Sequence, residues 1–487
     1  MAELGMTFGP LPWVPSRRVT LVSVAVLVVG VVSGLTALRP SLDRPVLATL
    51  SAFSICIIAL RRPRGAVVAA MVLLPFLGLV RRGLIPIAGW SSSDALLLVA
   101  PCLSLFLVGR LFLQRRPFTG DLLSNLILAL IVLTLLEVAN PEGGGLLVGI
   151  TGLLFLGAPL LWFFIGRELV DRQLVTTLLP ILVVAAVIIG FYGLWQTSAG
   201  LPPWDAQWLD VNGYAALNVA GVTRAFGTLA SSAEYAAYLA IGLVLAAVWV
   251  TYGRTLALIA IPPLAIALFL DSSRGIVIFA FFALLLLAGM RTGSGRLTCV
   301  IVVLGVAGAV AMNQVIGSSL STSAKHSGSA LLAHQVGGLT NPFNSDQSTL
   351  VLHEQIVISG MLNSFSHPLG LGTGATSLAS DHASIVNRQG VAPPSVSTEV
   401  DASNAFVSLG VAGGFLFLAI VAVTFRRVGQ LCLRTRDRAA LAVMGLLVIS
   451  LGQWLNGGYY AIAPLLWLLV GWSNRVWLER RALGAPE

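Results

Sequence analysis

The stretch 174–195 reads LVTTLLPILVVAAVIIGFYGLW and contains no charged residue. A helix of this length rises about 1.5 Å per residue, so it can cross the roughly 30 Å hydrocarbon core of a bilayer. Apolar runs of about 18 residues or more recur along the whole chain and satisfy the same length requirement. The stretch therefore predicts a membrane-spanning helix, and its recurrence predicts a bundle of such helices.

Composition supports this fold class. Hydrophobic residues make up 57% of the 487 residues and charged residues only 10%, whereas soluble domains carry about 25% charged residues. The mean hydropathy is +0.91. We predict an all-α polytopic membrane protein, a bundle of about 12–14 transmembrane helices. One large extracytoplasmic loop containing an amphipathic helix is expected to interrupt the bundle.

The basic residues predict the orientation of this bundle. The net charge of +9 would suggest nucleic acid as the partner of a soluble protein. Here most arginines lie in short loops between spans, where positive charge marks the cytoplasmic side. Of the 29 basic residues, 21 are placed inside and eight outside. The eight are Arg39, Arg44, Arg81, Arg82, Arg224, Arg274, Lys325 and Arg388. We predict a multi-pass protein of the cytoplasmic membrane with both termini inside, surrounded by lipids and binding no nucleic acid.

Four regions follow from this topology. N-terminal spans occupy 1–221, and a second group of spans at 222–316 carries isolated arginines at the outer face. The polar segment 317–404 is expected to form an extracytoplasmic loop or lid. C-terminal spans and a cytoplasmic tail make up 405–487. The four cysteines are scattered and predict neither a disulfide framework nor a metal site.

The segment 317–404 contains all five histidines of the protein, which are His326, His334, His353, His367 and His382. Their spacing does not match paired metal-ligand motifs, so we predict no metal and no cofactor. A neutral histidine near pH 7 is a better candidate for a general base. Residues 348–364 have apolar positions at helical spacing and predict the amphipathic helix. Gly370 and Gly372 could let the backbone approach a ligand closely.

Two of the eight basic residues assigned to the outer side, Arg224 and Arg274, each lie at the entrance of a span. Arg224 precedes a span that begins near Glu234, and Arg274 sits in the turn Asp271-Ser-Ser-Arg-Gly275 between two spans. Arg224 could be an interfacial residue that reaches toward lipid head groups, and Arg274 could simply pair with Asp271 in a tight turn. Alternatively, both guanidinium groups could bind phosphate oxygens, which they match in a bidentate geometry. Two such arginines would suit a substrate with two adjacent phosphates.

An ordered series of motifs resembles the bacterial O-antigen ligase and O-antigen polymerase superfamily. The motifs are Arg224-Ala-Phe-Gly-Thr with Tyr235-Ala-Ala-Tyr-Leu, Ser273-Arg-Gly, Pro368-Leu-Gly-Leu-Gly-Thr-Gly, and Asn404-Ala-Phe. The resemblance covers about 222–418, and the large polar segment lies where that family has its outer loop. It implies an all-helical, metal-independent membrane glycosyltransferase whose donor is a glycan on polyprenyl diphosphate. Arg224 and Arg274 match the family arginines thought to hold the diphosphate.

One departure from the family pattern concerns the catalytic base. Ligases of this type usually have a histidine immediately before the asparagine, and Ser403 occupies that position here. A serine is a poor general base, so the family histidine does not carry over to this chain. Asp401, His367 or His353 could act as the base instead. The same departure favours a polymerase over a ligase.

The expected function is transfer of a glycan from a polyprenyl-diphosphate donor to a glycan acceptor, as in a repeat-unit polymerase. One alternative is ligase-type transfer to a lipid or cell-wall anchor. A second is a flippase or exporter of lipid-linked glycan, and a third is a non-catalytic scaffold in a complex that assembles cell-envelope polysaccharide. The expected partners are the lipid-linked donor, the acceptor and other polysaccharide-assembly proteins.

Overall fold

The computed structural model of the chain describes residues 43–90, 94–116, 118–212, 218–219, 221–342, 344, 350–376, 400–455 and 459–483. The predicted span at 19–38, together with Arg17 and Arg18 before it, lies outside the described residues. His382 and the predicted loop around it also lie outside them.

Most of the described residues are helical. The helices are α1 (Asp43–Arg61), α2 (Pro63–Leu73), α3 (Leu77–Gly83), α4 (Ile85–Ala88), α5 (Val99–Leu113), α6 (Leu122–Glu137), α7 (Leu146–Leu156), α8 (Ala158–Leu169), α9 (Arg172–Ala199), α10 (Pro203–Asn212), α11 (Ser232–Val250), α12 (Ile261–Leu270), α13 (Arg274–Met290), α14 (Gly295–His326), α15 (Ala330–Thr340), α16 (Leu350–Ser366), α17 (Asp401–Thr435), α18 (Arg438–Ile449) and α19 (Ile462–Ala482). Short 3-10 helices occupy Leu74–Phe76, Ala95–Leu98 and Thr255–Ala260. Within the described ranges the only strands are β1 (Asn218–Val219) and β2 (Val222–Thr223), which pair antiparallel.

Eight helical stretches in the described part of the chain are long and apolar enough to cross a membrane. Four shorter apolar helices accompany them, at Leu122–Glu137, Thr255–Leu270, Arg274–Met290 and Arg438–Ile449. The chain is therefore an all-α protein of the multi-pass membrane class. The count of about 12–14 spans stays a prediction, because length and composition alone do not decide whether a short apolar helix crosses the bilayer.

The closest packing between helices joins α8 to α19. A Cβ atom on Gly166 would overlap the backbone carbonyl of Leu468, and one on Gly471 would overlap the carbonyl of Phe163. Small residues permit such backbone approach, which gains dispersion contacts where lipid provides no hydrophobic driving force between helices. Each helix thus presents a glycine to the backbone of the other.

Helix α11 is the most deeply buried of the long apolar helices. Its best membrane window is 78% buried, and it packs against α9, α13 and α18. The helix begins at Ser231, whose hydroxyl accepts a hydrogen bond from the Glu234 amide at 3.1 Å. A serine followed three residues later by a glutamate is the capping-box pattern, which is typical of the beginning of a helix. Ser231 and Glu234 therefore determine where α11 begins. The loop before Ser231 is thereby held at one end of the bundle.

Contacts join the arginine-rich loops to one another. Arg64 pairs with Asp171 at 2.7 Å, and Arg172 pairs with Asp437 at 3.2 Å. The Tyr252 hydroxyl donates to the Arg436 carbonyl at 2.8 Å. These loops were all assigned to the inner side from the sequence, and the fold brings them together. The cytoplasmic location of that end stays a prediction of the positive-inside rule.

The segment 317–404 is more helical than expected. Helix α14 continues through the small polar residues to His326 instead of ending at the last apolar residue, and α15 follows after a short turn. The predicted helix at 348–364 corresponds to α16 (Leu350–Ser366), which packs against α17. Residues 377–399 lie outside the described residues. The single large extracytoplasmic loop and its side of the membrane therefore remain predictions.

Candidate functional site

Arg224 lies against the turn that joins α12 to α13. Its Nε donates to the Asp271 carbonyl at 2.9 Å, and its Nη2 lies 3.2 Å from Asp271 Oδ2. The same Nη2 donates to the Ser273 hydroxyl. The Asp271 side chain is fully buried and that of Arg224 is 15% exposed. The two sequence motifs that carry Arg224 and Arg274 are thus parts of one site.

Arg274 is the first residue of α13 and extends toward α15. Its Nη2 lies 3.0 Å from His334 Nε2, and a Cβ atom on Gly338 would overlap its guanidinium. His334 and Gly338 are four residues apart on α15, so they share one helix face. The arginine therefore lies across the face formed by His334 and Gly338. We call the group of Arg224, Asp271, Ser273, Arg274 and His334 the arginine cluster.

The protonation state of His334 follows from its contact with Arg274. A guanidinium only donates hydrogen bonds, so the His334 Nε2 it contacts must be the acceptor and the ring must be neutral with its proton on Nδ1. Burial lowers the pKa of His334, and the positive charges of Arg274 and Arg224 lower it further. The cluster therefore holds a neutral imidazole beside a permanently charged guanidinium.

Asp271 balances part of the positive charge. Burial raises the pKa of the Asp271 carboxyl to about 6, although Arg224 and the bonds from Ser273 favour its charged form. Asp271 Oδ1 has no hydrogen-bond partner among the described residues, and neither does the side-chain amide of Gln335, which is fully buried. Buried polar atoms are normally satisfied by protein, water or a ligand. Asp271 Oδ1 thus gives the cluster unused capacity for a polar ligand.

The loop that carries Arg224 is held by buried polar groups. Arg82 donates to the carbonyls of Gly227 at 2.6 Å and Leu229 at 2.5 Å. Gln196 Oε1 accepts from the amides of Phe226 at 3.1 Å and Gly227 at 2.8 Å. These bonds fix the backbone directly after Arg224. The loop is therefore a rigid support for the guanidinium.

Two structural features require the glycine at the end of the motif Arg224-Ala-Phe-Gly227. Its φ is +54°, and an added Cβ would lie 2.6 Å from the ring of Tyr235. Phe226 beside it packs its ring 5.0 Å from Trp208 and 4.8 Å from the Arg82 guanidinium. Both the conformation and the space at residue 227 thus require glycine.

Arg82 belongs to a buried network. It pairs with Asp205 at 2.6 Å, and Asp205 also accepts from Tyr192 at 2.8 Å and from Gln196 at 2.7 Å. The sequence placed Arg82 on the outer side without assigning it a role. Asp205 was not predicted from the sequence. A signal for such a partner was available, because positive charge is disfavoured on the outer side to which Arg82 was assigned. A buried arginine there needs a carboxylate partner.

Glu234 has a structural role in this arrangement. It is 1% exposed and accepts the Ala461 amide at 2.6 Å, at the start of α19. Its own amide is the one that Ser231 caps. Glu234 thus links the beginnings of α11 and α19, and none of these contacts involves the arginine cluster.

Gly370 and Gly372 lie where backbones meet. Both have positive φ, +90° and +85°. A Cβ on Gly370 would lie 2.6 Å from the amide nitrogen of Gly410, and one on Gly372 would lie 3.0 Å from the Cα of Gly143. Gly410 is the residue at which α17 departs from helical geometry. The close approach expected of these glycines occurs, and its partners are neighbouring backbone segments of the protein.

Asp401 and Asn404 lie inside the bundle at the start of α17. Asp401 Oδ2 accepts the Leu455 amide at 2.5 Å, and Asn404 Nδ2 lies 3.3 Å from Asp401 Oδ1. Asp401 and Ser403 are fully buried, and Asn404 is 6% exposed. Asp401 therefore connects α17 to the chain before α19, and its carboxylate is engaged in that connection.

The two histidines predicted as bases lie in different surroundings. His367 Nδ1 is 3.1 Å from Glu142 Oε2, at a contact where both side chains are substantially exposed. His353 is exposed on α16. The contact of His367 is with Glu142 and not with the arginine cluster, whereas His334 is part of that cluster. The described residues contain no group of three or more histidine, cysteine or acidic side chains that could hold a metal ion.

Comparison with known proteins adds no assignment. No protein-family model matches this sequence, and no curated protein matches it significantly. The resemblance to the O-antigen ligase and polymerase superfamily thus rests on the quoted motifs alone.

Proposed function

We propose that the protein is a membrane glycosyltransferase that transfers a glycan from a polyprenyl-diphosphate donor to a glycan acceptor, as a repeat-unit polymerase does. The observation that carries this proposal is that Arg224 contacts the Asp271–Ser273 turn, which Arg274 directly follows as the first residue of α13. Two guanidinium groups at one site offer bidentate donors for two adjacent phosphates. A diphosphate diester would replace the carboxylate and hydroxyl contacts of Arg224 and the histidine contact of Arg274.

The reaction would be a direct displacement. An acceptor hydroxyl attacks the anomeric carbon of the donor sugar, a new C–O glycosidic bond forms, and the bond from that carbon to the diphosphate breaks. The electron pair leaves with polyprenyl diphosphate, and the hydroxyl proton passes to a base. Negative charge grows on the leaving diphosphate in the transition state, so fixed positive charge beside it lowers the barrier.

We infer that His334 is the base in this reaction. Its Nε2 accepts a hydrogen bond from Arg274 at 3.0 Å, which occupies the lone pair that would take the proton. When Arg274 turns to a bound diphosphate, that lone pair becomes available. Donor binding would therefore activate the base. We favour His334 over Asp401 and His367, because Asp401 accepts the Leu455 amide and His367 contacts Glu142. We favour it over His353 because His334 contacts Arg274 directly.

The ligase alternative uses the same donor chemistry and differs in the acceptor. The flippase alternative requires transport without bond formation. Deleting the protein and sizing the surface glycan tests all three. Chains of single repeat units would support the polymerase, whereas long chains left on the carrier lipid would indicate a ligase. Glycan retained on the inner leaflet would indicate a flippase and contradict the proposal.

A further inference from the structure

The arginine-rich end of the bundle contains a cavity of about 460 Å³ between the start of α6 and the C-terminal parts of α17 and α19. Among the described residues, five arginines line it and Asp121 is the only acidic residue in its lining. The lining therefore has a net formal charge of +4. The arginines are Arg426, Arg427, Arg434, Arg480 and Arg481.

The centre of this cavity is rigid. Arg427 pairs with Asp121 at 2.6 Å, and its side chain is 8% exposed. Its guanidinium lies 4.2 Å from the ring centroid of Trp477, and that of Arg481 lies 5.5 Å from the same centroid. The Trp477 indole donates to Gln430 at 2.8 Å. The tryptophan is therefore held in place with two guanidinium groups near its ring, and the buried ion pair fixes the position of the Arg427 charge.

The single carboxylate in the lining already has several partners. Asp121 accepts the amides of Leu123 at 3.0 Å and Ser124 at 3.3 Å, which caps the beginning of α6. The same carboxylate accepts from Asn474 at 3.2 Å. Since this one carboxylate balances only one of the five positive charges, the cavity attracts anions. A helix that begins at the cavity wall adds to this attraction.

The apolar part of the lining indicates what kind of anion fits. Leu122, Val423, Leu431 and Leu478 share the cavity with the arginines. Free phosphate gains nothing from such surface, whereas a phospholipid could place hydrocarbon against it. Basic pockets between helices at the cytoplasmic membrane surface suit phosphate head groups. We propose that this cavity binds the head group of an anionic phospholipid. The proposal does not depend on the glycosyltransferase activity.

The test compares the full-length wild-type protein, purified in neutral detergent, with two double variants. Arg434→Gln with Arg481→Gln removes two exposed charges of the cavity and leaves the buried Arg427 in place. Arg62→Gln with Arg296→Gln removes two exposed arginines of the predicted inner loops that do not line it. The probes are short-chain phosphatidylglycerol, short-chain phosphatidylcholine and sodium phosphate. Native mass spectrometry measures how much of each lipid stays bound, and melting temperature measures folding.

We expect phosphatidylglycerol to bind at least about tenfold more tightly than phosphatidylcholine, with that preference lost in the cavity variant and kept in the control variant. Equal binding of the two lipids to the wild type would overturn the proposal. So would an equal loss in both variants, which would indicate attraction by overall charge. Sodium phosphate that displaces phosphatidylglycerol at equal concentration would show a site for soluble phosphate and also overturn it.

Discussion

Arg274 Nη2 lies 3.0 Å from His334 Nε2. The contact joins α13 to α15 through two residues that are 60 positions apart in the sequence. The contact places a permanent positive charge beside a neutral imidazole. In the proposed reaction the first group binds the leaving diphosphate and the second accepts the proton. Both halves of this assignment can be tested separately.

Gly338 tests the position of Arg274. A methyl group at residue 338 would overlap the Arg274 guanidinium, which sits at the end of a flexible side chain and can swing away. We expect Gly338→Ala to fold normally and to lower glycan transfer by about tenfold or more, because misplacing a transition-state contact is costly. Gly275→Ala is the matched control, since its Cβ would meet open space. Equal activity of the two variants would contradict the position assigned to Arg274.

Arg224 tests the need for a guanidinium. Arg224→Lys keeps the charge but loses the planar fork that contacts both Asp271 and Ser273. We expect transfer to fall by about 100-fold, as it does when one donor to a developing negative charge is removed. Arg254→Lys, at an exposed arginine of a predicted inner loop, serves as control and should keep full activity. Normal polymer length in Arg224→Lys would exclude the bidentate role.

His334 tests the identity of the base. We expect His334→Gln to reduce turnover by about 100-fold or more while donor affinity changes little, because a glutamine can still accept a bond from Arg274 but cannot take a proton. His367→Gln should keep most activity, since the His367 ring contacts Glu142. His353, which is exposed on α16, is not the proposed base, so His353→Gln should also keep most activity. Donor binding and turnover are measured separately on purified protein. If His367→Gln alone abolished turnover, the base would be reassigned to His367.

Asp271 gives a pH dependence of stability. Burial raises its pKa in the folded protein to about 6, above the value of about 3.9 in an unfolded chain. The folded protein thus holds this proton more tightly, and the associated stability is full below about pH 4 and is lost as pH rises through about 6. Asp271→Asn cannot ionise, so its melting temperature should rise relative to that of the wild type as the pH is raised from 4.5 to 7.5. Over this range the free energy of unfolding of the wild type should fall by about 2 kcal/mol relative to that of the variant.

The sign of that change is the informative part. The substitution also removes the partner of Arg224, which lowers the stability of the variant by an amount that does not depend on pH. Only the slope of the stability difference against pH therefore reports the pKa of the Asp271 carboxyl group. Asp437→Asn provides a comparison at an ion pair among the arginine-rich loops, in which the partner Arg172 is exposed and Asp437 is largely buried. A melting-temperature gap between wild type and Asp271→Asn that stayed constant with pH would show that Asp271 has an ordinary pKa.

The glycine contacts of α8 and α19 predict a stability effect without a functional one. Gly166→Ala would push a methyl group into the Leu468 backbone, which cannot move aside as a side chain can. We expect a loss of about 1–3 kcal/mol, the usual cost of overpacking. Gly109→Ala has open space and should be neutral. Thermal unfolding in detergent measures both, and equal melting temperatures would refute the close approach.

The sequence predicted the helices well where they lie in apolar runs. The stretch 174–195 lies within α9 (Arg172–Ala199), whose first turn is capped by Asp171. The end of α14 was not predicted from the sequence, because this helix continues beyond the apolar residues to His326. Hydropathy reports where a lipid-compatible surface ends, whereas a helix continues as long as its backbone bonds are satisfied.

The site was predicted only in part. Arg224 and Arg274 stood out because positive charge is disfavoured on the side to which they were assigned. His334 did not stand out from the other histidines, since its role depends on how α15 folds back to Arg274. Arg82 was counted among the outer arginines, but its contact with the Arg224 loop spans 145 residues or more. Such long-range pairs leave no local pattern in a single sequence.

The most direct test of the central claim is a transfer assay with purified protein and a polyprenyl-diphosphate glycan isolated from the host. We expect longer lipid-linked glycans to form together with one polyprenyl diphosphate released per bond made. Arg224→Lys should lose this activity and Gly275→Ala should keep it. If the wild type, folded and supplied with donor and acceptor, released no polyprenyl diphosphate and made no longer glycan, the account of the arginine cluster as a transferase site would be wrong.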